Sequence, residues 1–98
     1  MLTNEQRVKN LRVPGKAVDL VLDTDAYNEI DDQFAIAYML SYADRLRVRG
    51  IYAAPFKNGR AETPAIGMEK SYDEIQKLLR LSNREDLCKL TFRGAQRY

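Results

Sequence analysis

The sequence predicts an α/β fold built on a parallel sheet, and three observations lead there. Short apolar runs of strand length alternate with longer segments of helix length, in the order strand, helix, strand, helix, strand. Turn residues, Pro14-Gly15 and Asn58-Gly59, punctuate the connections. A block of acids sits where the first strand passes into the first helix, the end of a parallel sheet at which ligands bind.

Met1 to Lys16 reads as a polar lead-in closed by Pro14-Gly15. Ala17 to Leu22 is short and apolar apart from Asp19, which suits a strand buried on both faces. Ile30 to Tyr42 is long enough for a helix, apolar on nearly all sides from Phe34 to Leu40, and opens on Asp31 and Asp32, acids that suit the positive end of a helix dipole. Arg45 to Ala54 alternates arginine with Leu and Val before turning apolar, a strand whose first part has one wet face. Pro55 to Pro64 reads as a polar loop and Met68-Glu69-Lys70 as part of a connector. Ser71 to Glu74 has capping-box spacing, so a second helix is expected from about Tyr72 to Leu81, ended by Ser82-Asn83. Leu90 to Arg93 is expected as a third short strand before Gly94. A doubly wound sheet needs more strands than these, so residues 1–98 are expected to form a single domain that is the N-terminal portion of a longer one.

A content of 45% hydrophobic and 31% charged residues is that of a folded globular chain. No apolar run reaches the roughly 20 residues of a membrane span, and the first 16 residues lack the apolar block of a signal peptide, so a cytoplasmic location is expected. Cys88 is the sole cysteine and there is no histidine, which excludes an intrachain disulfide, a Cys/His zinc site and imidazole catalysis. Cys88 itself reads as a small buried hydrophobe.

Charge is distributed unevenly. Asp23 to Asp44 holds six acids and no base, whereas Arg45 to Tyr98 holds twelve bases against six acids. The net charge of +2 is therefore a poor argument for nucleic-acid binding, and Arg45, Arg47 and Arg49, with no stacking aromatics among them, read as the solvated face of a strand. Tyr38 and Tyr42, four apart, read as helix packing, and Tyr27 offers a ring for stacking within the acidic loop.

The acidic block invites a site. Period-2 geometry places Asp23 and Asp25 on one side as the first strand ends, and Asp31 and Asp32 return at the helix start, so three or more carboxylates are expected to converge. Such crowding raises carboxyl pKa values unless a cation compensates, and all-oxygen ligands favour Ca²⁺ or Mg²⁺. Asn28 and Glu29 add oxygen donors in the intervening loop. The competing reading is that these acids are solvated helix caps. An EF-hand is excluded, because counting from Asp23 the sixth position is Asn28 instead of Gly and the twelfth is Phe34 instead of Glu. The strand-terminal Asp-x-Asp also resembles haloacid dehalogenase phosphotransferases, with Asp23 as nucleophile, although the Gly-Thr turn usual there is replaced by "AYNE".

"VLDTDAYNEIDDQFAIAYML", "RGIYAAPFKN", "GMEKSYDEIQKLL" and "LTFRGAQR" together resemble successive landmarks of the inosine-uridine preferring nucleoside hydrolase family. The resemblance runs from Ala17 to Tyr98, in a form with five residues, Ala26 to Ile30, between the two acid pairs. It implies a Rossmann-like sheet and cleavage of the N-glycosidic bond of a ribonucleoside by a Ca²⁺-bound water. It also implies that Asp25 is a calcium ligand and the proton acceptor, Asp32 a second calcium ligand, Asp31 and Asn58 ribose-binding residues, and Asp23 a support for Asp25. The partners expected are a ribonucleoside and further copies of the same chain, with neither nucleic acid nor membrane. A non-catalytic role through pairing of the bare sheet edge is the remaining alternative.

Overall fold

A computed structural model describes Met1–Tyr98 throughout. The elements are α1 (Asn4–Asn10), β1 (Val18–Thr24), α2 (Asp31–Ser41), β2 (Leu46–Ala53), α3 (Pro64–Leu81), a 3₁₀ turn (Glu85–Leu90) and β3 (Thr91–Arg93). The three strands form one all-parallel sheet in the order β1-β2-β3. The expected alternation of strand and helix is therefore present. No helix is long and apolar enough to cross a membrane.

Both crossovers step the same way across the sheet, and right-handed connections then lay α2 and α3 on the same face. Ile36 and Met39 of α2, Ile51 and Ala53 of β2, and Met68, Ile75 and Leu79 of α3 form the core, with Leu20 and Leu22 of β1 against it. The other face carries no helix, and only 17 of 98 residues are buried as a result. This corrects the expectation of a first strand buried on both faces: β1 alternates, with Leu20, Leu22 and Thr24 turned inward and Asp19, Val21 and Asp23 outward.

Asp19 is thereby explained. Arg47 and Arg49 approach one of its oxygens at 2.8 and 3.1 Å on the open face. Arg45, the third arginine, donates instead to the Pro14 carbonyl at 2.9 Å. Beyond Arg49 the pairing slips by one residue, Leu20 opposing Val48 and Val21 opposing Gly50, which reverses which side chains of β2 face inward. Gly50 then lies under the Tyr52 ring, where an added Cβ would stand 3.1 Å from that ring, and Tyr52 stacks on Phe92 of β3 at 5.1 Å.

The arginines, Arg49 first, hold the Asp19 carboxyl below the usual carboxylate range. A depressed acid contributes stability above its unfolded pKa, about 3.9, and loses it as the pH falls through the lower folded value. Asp19→Asn is therefore expected to lower the urea midpoint slightly at pH 7. The gap to the parent should close as the pH falls below about 3.9. A gap that widens on acidification would show the opposite sign. The effect is small because the pair is solvated.

Two helical segments depart from expectation. The polar lead-in contains α1, capped by a reciprocal box in which the Gln6 N–H donates to the Thr3 hydroxyl and the Thr3 N–H to the Gln6 side chain. The second long helix starts at Pro64, eight residues before the expected Tyr72. Thr63 is its N-cap, taking the Ile66 N–H at 3.2 Å, and Pro64 fits the first turn because that position needs no N–H donor. Ser71 is mid-helix and fully buried, and Met68, expected in a connector, is a core residue. Asn83 ends the run in the left-handed region, φ 55°, which asparagine tolerates better than most residues.

Helix α2 matches its expected span but hides only Ile36 and Met39. Phe34 and Tyr38 remain about two-thirds exposed, and Tyr38 leans on Tyr42 at 5.0 Å, so these tyrosines pack on each other at the surface. Cys88 is half-buried against the core.

Candidate functional site

The acidic loop leaves the sheet at the carboxyl end of β1. Thr24, the last strand residue, points inward and is buried, and its hydroxyl donates to Asp32 Oδ2 at 2.5 Å across the start of α2. Asp25 follows the strand. The Asn28 N–H donates to the Asp25 carbonyl at 2.7 Å, closing a turn, and Asn28 Nδ2 donates to Asp25 Oδ2 at 2.8 Å.

Asp25 and Asp32, two of the four aspartates of the acidic block, lie side by side. Burial is the chief cause that pushes the Asp32 carboxyl above its usual range; the Asp25 carboxyl beside it and the Asp31 charge push the same way, and the Thr24 hydroxyl opposes them. The other two acids do not join. Asp31 is exposed in the first turn of α2 and acts on Asp32 through charge alone. Asp23 stands exposed on the open face, opposite Tyr52 in register, with no hydrogen bond to Asp25. The expected convergence of three or more carboxylates is thus corrected to two, and no group of three or more His, Cys, Asp or Glu is placed to hold a metal. The cause is that the chain has left the strand by Asp25, so period-2 geometry no longer governs where its side chain points.

Two carboxylates are the donors the site offers, and a cation suited to them would be a hard divalent one. Asp25 and Asp32 are oxygen donors side by side; burial chiefly raises Asp32, and the smaller part that comes from Asp25 and Asp31 is the part a cation would relieve.

Asn58, in the loop after β2, meets the acidic loop at Asn28 and touches neither carboxylate of the pair. It sits in a tight turn closed by mutual backbone hydrogen bonds with Ala61, both 3.1 Å. Asn58 Nδ2 donates to Asn28 Oδ1 at 2.6 Å, and Asn58 Oδ1 accepts the Arg60 N–H at 2.8 Å. The Arg60 guanidinium donates to the Asn28 carbonyl at 2.5 Å, and Lys70 of α3 donates to the Arg60 carbonyl. Tyr27 is pinned to α3, its N–H donating to Ser71 Oγ at 3.3 Å while Lys70 lies 5.5 Å from its ring centroid. Glu29 is exposed and makes no hydrogen bond.

Sequence reasoning missed Thr24, Ser71, Arg60 and Lys70. Only Thr24 left a signal, being the inward position of an alternating strand next to the acids. An apolar depression of about 340 Å³ lined by Val13, Val18, Tyr38, Tyr42 and Leu46 lies at the other end of β1 and takes no part in this chemistry. No protein-family model matches the chain, and no curated protein or solved structure is significantly similar to it.

Proposed function

We propose that the chain carries the N-terminal half-site of a calcium-dependent nucleoside N-ribohydrolase. The observation that supports this most is the pairing of Asp25 and Asp32, one from a strand end and one from a helix start, with Asp32 pushed toward its protonated form. Asp25 and Asp32 would hold the cation, which when bound lowers the pKa of its water and compensates the paired charges. Cleavage of an N-glycosidic bond develops positive charge on the ribosyl ring, and carboxylates beside the ring stabilise it. Asp25 accepts the proton of the attacking water. Thr24 holds Asp32 in place through its hydroxyl. Asp31, exposed beside the pair, accepts hydrogen bonds from ribose hydroxyls, and Asn58 offers its remaining amide hydrogen to the sugar.

Two carboxylates are few of the 6 to 8 oxygens calcium takes, so binding is expected to be weak, with Kd about 10⁻⁴–10⁻³ M. The chain has no histidine to protonate a departing base, and release of the base from inosine or uridine is expected to stay near background. Calorimetric titration of the chelator-treated chain with calcium, followed by ribose with amide shifts recorded, tests the reading. It stands if calcium binds and ribose then moves the Asp31 and Asn58 amides. Absence of calcium binding at 10-fold above that range, or ribose shifts confined to other residues, would overturn it.

A further inference from the structure

We infer that Asn28 is a positioning residue for Asp25, and that Asn58 acts on the site through Asn28; this rests on Asp25 being a cation ligand. The four groups form one hydrogen-bonded line whose direction is set from both ends. The Arg60 N–H is a backbone donor and cannot accept, so the oxygen of the Asn58 amide faces it, at 2.8 Å. The Asn58 nitrogen must then face Asn28, and it meets the Asn28 oxygen at 2.6 Å. That leaves the Asn28 nitrogen toward Asp25 Oδ2, at 2.8 Å, and an ionised carboxylate accepts only. Flipping either amide would set donor against donor or oxygen against oxygen at one of these contacts.

The line therefore delivers one donor to one oxygen of Asp25, and the second oxygen of that carboxylate is not bound by any of these groups. Two cationic side chains keep the line in place from outside, Arg60 on the Asn28 carbonyl and Lys70 on the Arg60 carbonyl. The stretch Ala26–Ile30 thus has a defined use. It carries the amide that couples the turn after β2 to the carboxylate after β1, a link between residues 30 apart in the chain. Groups that orient a metal-ligating carboxylate typically change metal affinity by about 10–100-fold when removed.

The test is a double-mutant cycle on terbium affinity, read by tyrosine-sensitised luminescence on chelator-treated protein with terbium alone. Asn28→Ala is expected to weaken binding about 10-fold or more. Asn58→Ala is expected to weaken it less, because Asn28 keeps its own bond to Asp25. The double variant should bind no more weakly than Asn28→Ala, since Asn58 has no route to Asp25 once Asn28 is gone. Additive losses, or Asn28→Ala binding like the parent, would overturn the inference while leaving the cation site intact. Failure of the parent to bind terbium at millimolar concentration would overturn the site and the inference together. If Asn28→Ala does not fold, Asn28→Leu, which keeps the side-chain size and removes the donor to Asp25, is expected to show the same loss. Unchanged affinity in that variant would count against the line.

Discussion

Gly67→Ala is expected to destabilise the fold by about 2–4 kcal/mol, the reverse of what helix propensity predicts. In an open helix interior the change is favourable by about 1 kcal/mol. Here an added Cβ would stand 2.9 Å from both the carbonyl carbon and the ring Cδ1 of Phe56, and nearer still to the Phe56 carbonyl oxygen. Overpacking typically costs about 1–3 kcal/mol, and a backbone obstacle yields less readily than a side chain. Either α3 moves off the sheet or the segment after β2 is displaced, and the second outcome carries Asn58 away from Asn28. Against a total of about 5–15 kcal/mol for a typical domain, and a core on one sheet face only, the loss is large. Urea unfolding followed by circular dichroism should show the midpoint falling with an unchanged slope, and the melting temperature dropping by more than about 8 °C. A variant as stable as the parent would mean that the close approach of Phe56 is not sustained in solution.

The second large effect separates stability from binding at one side chain. Asp32→Asn keeps an oxygen to accept the Thr24 hydroxyl and removes a carboxylate whose ionised form is disfavoured by burial and by Asp25. An acid raised above its unfolded pKa lowers stability where it is ionised, and the penalty lifts as the pH falls through the folded value. In chelator at pH 7 the variant is therefore expected to melt above the parent. The difference should shrink on acidification and vanish below the unfolded value of about 3.9. With calcium or terbium the order inverts, because the variant loses one of two carboxylate ligands and binds at least about 10-fold more weakly. Melting curves in chelator and in excess cation, at pH 4 and pH 7, check both halves. A variant less stable than the parent in chelator at pH 7 would contradict the strained state assigned to Asp32.

The strands and α2 were legible because each is a run whose length and composition suit one element only. The first two turns of α3 were not. Ser71 reads as an N-cap, yet Ser71 is buried to receive the Tyr27 N–H, and Gly67, a turn before it, is small because Phe56 crosses it. Both reasons lie in tertiary contacts with residues far away in sequence. Thr63-Pro64 was the local signal that outweighed them. The one-sided sheet was also half-written in the chain, in the aspartate within β1 and the alternating arginines that meet it. At the site, residue type and placement at a strand end and a helix start put forward four aspartates, and only the family resemblance singled out Asp25 and Asp32 among them. The failure of Asp23 to join them depends on where the strand stops, a boundary that composition fixes poorly. The Asn28–Asn58 contact joins two loops, which no periodicity encodes.

The sheet order β1-β2-β3 is also the order of synthesis. Each strand adds to an edge that the preceding chain has already made, so β1, α2 and β2 can pair before α3 or β3 exists. Thr24, Asp25 and Asp32 all lie within that first β-α-β unit, whereas Asn58, Arg60 and Lys70 follow it. During translation the carboxylate pair can assemble first, and the amides and cations that steady it arrive later. A ribosome-bound chain would then hold the charge of this site before it holds its aim.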